Sequence, residues 1–377
     1  MRFSLIVLFS YFLALNSFSQ TNVFKISGVV RDANTQETLP FANVFLANTT
    51  YGTVTNEVGE FNLTIERPGT YDLIVKFVGF ETYARSIQLL TPEDIGFEIN
   101  LIPESVNLGS VEVVAKKDAE WKSRLEQFKR LFLGESANAK KCKILNEEAI
   151  DFIYDEQSNS LEAFSREPLI IENKALGYKL TYLLEEFVVY YRQSYTRFYG
   201  FPVFEPMEGG KRKQANWDEA RLEALNGSVE HFFKALYHNE LDEIGYEVQM
   251  AKDIKGFGRV TDGRPVDLFA MLEPGPTPIS KKLNFEGYVY ITYVNELESP
   301  EFMDWKNPFS SGKKSSVPKK YRKPQQSWIS MVSEEEPIVF EQNGYVINPI
   351  AFYSNGYWGF EKIADIVPTN YEVPSNH

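Results

Sequence analysis

Three histidines, one cysteine and a surplus of carboxylates are the groups in this chain that could do chemistry. His231 and His238 lie seven residues apart in a stretch of helical periodicity. At ~1.5 Å rise per residue their backbones sit about 10 Å apart, whereas ligands sharing one ion stand three or four residues apart. Neither has Glu three residues on, and His377 is terminal. The set a zinc carboxypeptidase needs, a His and Glu close together plus a distant His, is therefore missing. We expect hydrogen-bonded or exposed histidines, with no metal and no other cofactor.

Cys142 stands in Lys140-Lys-Cys-Lys143. The lysines could lower its pKa, but no base is identifiable beside it, and a single thiol forms no intrachain disulfide. An inert buried thiol is the expectation. Ser310 and Ser311 each precede a lysine by three residues, as a Ser-Lys nucleophile would, yet their segment is Pro-rich and lacks the partner motifs. Gly256-Phe-Gly258 has Thr261 where a dinucleotide fingerprint needs its third glycine. Carboxylates are too numerous for a glycosidase pair to be assigned. No catalytic residue is predicted.

Binding chemistry is more visible. A net charge of −13 argues against a nucleic-acid partner, which requires a basic footprint. Between Lys306 and Ser333 the chain carries seven basic residues and no acidic one. Lys313, Lys314, Lys319, Lys320, Arg322 and Lys323 could contact an anionic surface or an acidic partner; a solvated loop is the plainer interpretation of their Ser, Pro and Gly surroundings. Aromatics make up 15% of the chain. Tyr190, Tyr191, Tyr195, Phe198, Tyr199 and Trp217 could form a stacking platform for a glycan, although such rings more often fill cores.

The elements that must position these groups begin after an export signal. Met1-Arg2, an apolar run from Leu5 to Leu15 and Ser17-Phe-Ser19 predict a signal peptide over 1–19, cleaved after Ser19. Residue 20 is Gln, so no cysteine is placed to carry a lipid anchor, and no later segment is long and apolar enough to span a bilayer as a helix. The expected location is the periplasm or the cell surface.

Residues 24–103 read as seven short strands: Phe24–Val30, Phe41–Ala47, Thr53–Thr55, two strands on either side of Arg67-Pro68-Gly69, Tyr83–Leu89 and Ile95–Leu101. In Phe61, Leu63 and Ile65, and again in Tyr71, Leu73, Val75 and Phe77, the period of two marks one buried face. The Pro-Gly turn between these runs predicts a hairpin, and the whole predicts a small antiparallel sandwich. Ile26-Ser-Gly-Val-Val30 with Asp32, Pro40-Phe-Ala-Asn-Val44, Gly52-Thr-Val-Thr55, Gly59-Glu-Phe61 and Val78-Gly-Phe80 recur in an order that resembles the carboxypeptidase-like regulatory domain. The resemblance implies a prealbumin-like β-sandwich, common in exported proteins of Bacteroidetes, with an accessory role in folding and adhesion and no catalytic residues to carry over. Gly28, Gly52, Gly59 and Gly79 are read as turns, bulges or close backbone contacts.

Residues 104–117 are expected to form a linker with an added strand at Ser110–Ala115. The region 118–377 lacks the repeated alternating strands of a membrane barrel, so a complete transporter is rejected. It is expected to be an α+β domain with an antiparallel sheet and at least two helices. Asp118 can cap an amphipathic helix ending near Gly134. Strands are predicted at 150–154, 160–164, 169–172, 178–191, 244–250, 285–294, 326–332, 337–341 and 345–353; the run 178–191 is read as a central strand with helix as its competitor. Asn216 is expected to open one long helix running through Leu222, Val229, Phe232 and Leu236. Loops are expected near 256–280 and 300–323. Gly227–Phe232 and Gly356–Tyr371 resemble an uncharacterised extension that accompanies the regulatory domain in similar exported proteins. The chain is thus read as a non-enzymatic envelope protein that binds a protein or polysaccharide partner, the alternative being a cell-envelope hydrolase or glycan-binding protein with its site in 118–377.

Overall fold

The computed structural model describes residues 23–104, 118–255, 259–260, 262–307 and 317–374. The expected signal peptide, all of the expected 104–117 linker and added strand except Glu104, the Gly256-Phe-Gly258 motif, Ser310, Ser311, Lys313, Lys314 and His377 lie outside the described residues.

Seven strands build the first domain: β1 (Phe24–Asp32), β2 (Asn43–Leu46), β3 (Gly52–Val54), β4 (Glu60–Ile65), β5 (Gly69–Lys76), β6 (Tyr83–Leu89) and β7 (Asp94–Leu101). They form two sheets, β3-β2-β5-β6 and β4-β1-β7, closed over Phe24, Ile26, Val44, Leu46, Phe61, Leu63, Leu73, Val75 and Ile99. The expected sandwich is present, with two corrections. First, β4 and β5 are not a hairpin: β4 pairs with β1 while β5 pairs with β2 and β6, so Arg67-Pro68-Gly69 carries the chain from one sheet to the other. Period-two alternation reports which face is buried, and two strands separated by a turn satisfy it equally well in facing sheets. Second, β1 and β7 run parallel, so the sandwich is not wholly antiparallel. Gly28 is a close backbone contact: a Cβ there would come within 2.5 Å of the Phe97 carbonyl oxygen and 2.7 Å of the Phe61 ring.

The next segment opens with helix α1 (Ala119–Phe132), capped by Asp118, whose carboxylate accepts the Trp121 N–H at 3.0 Å. Strands β8 (Cys142–Ile144), β9 (Ile150–Asp155), β10 (Ser160–Ser165), β11 (Leu169–Asn173), β12 (Tyr178–Tyr190) and β13 (Tyr195–Pro206) form one antiparallel sheet. The run at 178–190 is the central strand: β13 lines one side of it, and β11 and β10 share the other. A bulge between Leu184 and Glu186 keeps Tyr182 and Phe187 on one face, where α1 lays Leu125, Phe128 and Phe132; the Phe128 and Phe187 ring centroids are 4.6 Å apart. Sequence reading missed β13, whose Gly200 and Pro202 resemble strand breakers.

The expected single long helix is two. Helix α2 (Lys211–Leu225) starts after Gly210, five residues before Asn216, and α3 (Val229–His238) starts at Ser228, whose hydroxyl accepts the His231 N–H. Between them Gly227 takes φ +75°. An apolar stripe at helical spacing cannot reveal that break, because α3 continues it on a new axis. Helix α4 (Leu241–Ile244) leads to β14 (Tyr246–Ala251), β15 (Ile254–Lys255), β16 (Arg259–Val260), β17 (Arg264–Pro265), β18 (Glu273–Pro274), β19 (Ser280–Leu283) and β20 (Tyr288–Leu297). After α5 (Pro300–Trp305) come β21 (Pro324–Met331), β22 (Ile338–Glu341), β23 (Phe352–Gly356) and α6 (Tyr357–Phe360). One sheet has the order β17-β14-β20-β21-β23, and β18-β19-β22 forms a small second one. The two loops are thus broken up by short ladders and by α5. The expected strand at 345–353 is instead a bridge at Val346, a tight turn at Pro349–Ala351 and then β23, since Pro349 has no N–H for a ladder. The stretches Gly227–Phe232 and Gly356–Tyr371 meet: Trp358 Nε1–H donates to the Gly227 carbonyl at 2.6 Å, and its ring packs on Phe232.

The sandwich rests on the β12–β13 sheet. Phe45, Ala47 and Ile74 pack against Leu183, Phe201 and Val203. Around this apolar patch Asn48 N–H donates to the Pro202 carbonyl (2.7 Å) and Phe204 N–H to the Thr49 carbonyl (3.0 Å). The C-terminal segment runs across the same joint: Thr369 N–H donates to the Asn48 carbonyl (2.8 Å), Asn370 Nδ2 to Thr50 Oγ1 (2.8 Å), and Arg67 pairs with Glu372.

Candidate functional site

The core stripe of α1 leaves Ser123, Glu126, Gln127 and Arg130 facing outward. At its end Gly134 adopts φ +99°, which lets the chain turn back so that the Ala139–Lys141 turn and β8 run beside the helix. A cleft of about 980 Å³ opens between them, a volume at the upper end of the range for small-molecule sites. Its walls hold Lys129, Arg130, Lys140 and Lys143 beside Glu126, Glu135 and Glu147. Lys129 Nζ bridges two of the acids, 2.6 Å from Glu126 and 3.2 Å from Glu147; Lys140 pairs with Glu301 of α5. The sequence signal for this cleft was the mixed Glu and Lys/Arg face of α1, which by itself reads as ordinary solvent-facing surface.

Cys142 also lines the cleft, but burial, helped by the charge of Asp365, pushes its thiol up to about 12. Desolvation of the thiolate outweighs the neighbouring lysines, so the group stays a thiol and is a poor nucleophile.

The six candidate platform aromatics are separated by the sheet. Trp217 is buried with its Nε1–H on the Lys174 carbonyl, and Phe198 packs into the α1 core. Tyr199 joins the patch beneath the sandwich. Tyr190 and Tyr195 stack at 4.7 Å on the opposite face from α1, with Arg197 held by Glu186 beside them. Tyr191 points toward α1: its hydroxyl donates to Gln127 Oε1 at 2.9 Å, in the wall of the cleft, and its ring lies 6.3 Å from that of Tyr154.

Both helical histidines are engaged. Gly227 N–H donates to His231 Nδ1 (3.1 Å), and the Tyr246 hydroxyl lies 2.9 Å from the same nitrogen. Burial, with Lys234 nearby, lowers His231 to about 4, which keeps the ring neutral. His238 Nε2 lies 2.9 Å from the Gln342 carbonyl. Elsewhere burial raises Glu230 and Glu296 to about 7, Glu296 also feeling Glu223, and raises Asp365 to about 6 against bonds from Ser136 and Asn138. No group of three or more His, Cys, Asp or Glu among the described residues is arranged to hold a metal ion.

Of the basic segment, Lys306, Lys319, Lys320, Arg322 and Lys323 are described; none of them lines the cleft, and Lys306 pairs with Glu298 at 2.6 Å. Lys319 and Lys320 form an exposed turn with Tyr321, Lys320 lying over the Tyr321 ring at 4.8 Å. Arg322 Nε donates to the Val317 carbonyl.

Residues 26–113 match the family model of the CarboxypepD_reg-like domain. Comparison with curated proteins gave no match. Among solved structures, the chain is similar to catechol 1,2-dioxygenase of Acinetobacter sp. ADP1 (11% identity, 23% of this chain and 55% of that one, TM-score 0.19). It is also similar to a type II cohesin–X-dockerin complex of Acetivibrio cellulolyticus (19% identity, 21% and 58%, TM-score 0.18) and to the C-terminal domain of the shaft pilin SpaA of Lactobacillus rhamnosus GG (14% identity, 22% and 98%, TM-score 0.18). The chain spans little more than half the length of the first two.

Proposed function

We propose that this is an exported, non-catalytic binding protein of the cell envelope, in which an accessory sandwich is carried by an α+β body that holds the partner. The observation that carries this reading is the state of its reactive groups. Cys142 is held as a thiol by desolvation, and His231 stays neutral with Nδ1 engaged by Gly227 and Tyr246. A group kept uncharged and bonded inside the fold serves packing better than proton transfer, which needs a pKa near the working pH. Further support comes from the CarboxypepD_reg-like match and from the joint, where the sandwich and the body share apolar and hydrogen-bonded contacts and so present a single surface to a partner. No described helix is long and apolar enough to cross a membrane. On this reading Lys319, Lys320, Arg322 and Lys323, together with Lys313 and Lys314, form a secondary contact for an anionic envelope surface.

The test is paired. The purified protein is incubated with envelope polysaccharides and with peptide and ester substrates while product release is followed, and the same protein is used to capture partners from envelope extract. Saturable capture without turnover supports the reading. Catalytic turnover of any of these substrates overturns it, and its loss in a Cys142→Ser or His231→Gln variant would assign the group responsible.

A further inference from the structure

We infer that the cleft between α1 and β8 binds a neutral oligosaccharide, with the exposed rings of Tyr191 and Tyr154 forming the stacking end of the site. The inference rests on the binding-protein reading above and names the ligand class for it. Every sugar hydroxyl both donates and accepts a hydrogen bond, and the wall supplies both kinds of partner side by side. Lys129 is a donor fixed between the acceptors Glu126 and Glu147, so the three side chains are already oriented before a ligand arrives. Gln127 accepts the Tyr191 hydroxyl through Oε1, which leaves its amide nitrogen without a partner among the described residues.

The rings that supply the apolar half of the recognition stand outside the cleft walls, Tyr191 joined to them through its hydroxyl bond to Gln127. Tyr191 and Tyr154 are 38% and 42% exposed, well above a core ring. Their hydroxyls are tied down, Tyr191 to Gln127 and Tyr154 to Asn159 Oδ1 at 2.6 Å, so the rings are held in place while presenting surface to a C–H face. Charge selects the class. Acids and bases nearly balance along the wall, so neither a polyanion nor a polycation gains from it, and the net charge of −13 repels polyanions at long range. The volume of about 980 Å³ has room for more than one sugar ring.

Affinity electrophoresis of the whole protein through gels containing mixed-linkage β-glucan, galactomannan, xylan or dextran tests this, with alginate as the polyanionic control. The expected result is retardation by at least one neutral polysaccharide, weakened about tenfold in Kd by Tyr191→Ala and by Lys129→Gln, with each variant's thermal midpoint checked against the parent. Tyr191→Phe keeps the ring and loses the bond to Gln127; it should bind better than Tyr191→Ala. Unretarded migration in all four neutral gels overturns the inference, as does retardation by alginate alone, or retardation that neither Tyr191→Ala nor Lys129→Gln changes. Release of new reducing ends would overturn the non-catalytic reading while leaving the cleft as a sugar site; failure of sugar binding leaves that reading intact.

Discussion

Glu341, at the end of β22, places its carboxylate under Thr70 of the sandwich, 271 residues away in sequence. It accepts the Thr70 backbone N–H at 2.9 Å and the Thr70 hydroxyl at 2.6 Å. The carboxylate is 0% exposed, and burial raises its pKa despite those bonds. A buried acceptor of this kind matters mainly through what its loss leaves behind.

Glu341→Ala strands two buried donors on Thr70, for which a cost of about 2–3 kcal/mol is expected. Glu341→Gln keeps an acceptor oxygen and should cost less. Urea denaturation gives the energies, and hydrogen exchange at the Thr70 amide gives the location. Protection of that amide unchanged in Glu341→Ala would show that the joint does not depend on this contact.

The pH dependence of stability follows from Glu230, Glu296 and Asp365. Their folded pKa values are raised above the unfolded ones, so the folded state binds protons more tightly. Their contribution is therefore fully present below the unfolded carboxylate range and is lost as pH rises through about 6 to 7. Glu296→Gln removes the buried charge and its repulsion from Glu223. We expect it to raise the thermal midpoint at pH 8 by about 2–4 °C, as about 1 kcal/mol does in a domain of this size, and to have little effect at pH 5. A rise of equal size at both pH values would refute the assignment to charge.

Cys142 should be nearly inert. With its thiol near 12, only about one molecule in ten thousand carries the thiolate at pH 8. Labelling by iodoacetamide at pH 8 is expected to be at least about 100-fold slower in the native protein than in urea. Comparable rates would mean that the cleft floor is open to solvent and that the thiol ionises.

The break between α2 and α3 should tolerate only glycine. At Gly227 a Cβ would meet Gln325 Oε1 at 2.6 Å and the Tyr293 ring at 2.9 Å, and φ is +75°. Gly227→Ala is expected to cost about 1–3 kcal/mol, and Trp358→Phe, which loses the bond to the Gly227 carbonyl, about 1 kcal/mol. Because both act on one junction, the double variant should lose less than the sum in denaturant titrations. Strict additivity would separate them.

Local pattern carried much of this structure. The alternation in β4 and β7, the Asp118 cap and the α1 stripe, and the aromatic and β-branched run of β12 each encode their own element, because burial of one face leaves a period in the chain itself. The sandwich and the mixed second region were legible for that reason. What periodicity does not encode is the neighbour. Ile74 stands on the outward face of β5 by any period-two count, yet it is 0% exposed because β12 and β13 cover it. The same holds for the sheet change at Arg67-Pro68-Gly69, for the turning of Tyr191 toward α1 and Tyr190 away from it, and for the cleft beside Cys142. The sequence alone determined which residues need to leave water. Only the tertiary structure decided against which surface each of them does so, since that choice depends on partners hundreds of residues away whose positions no local repeat records.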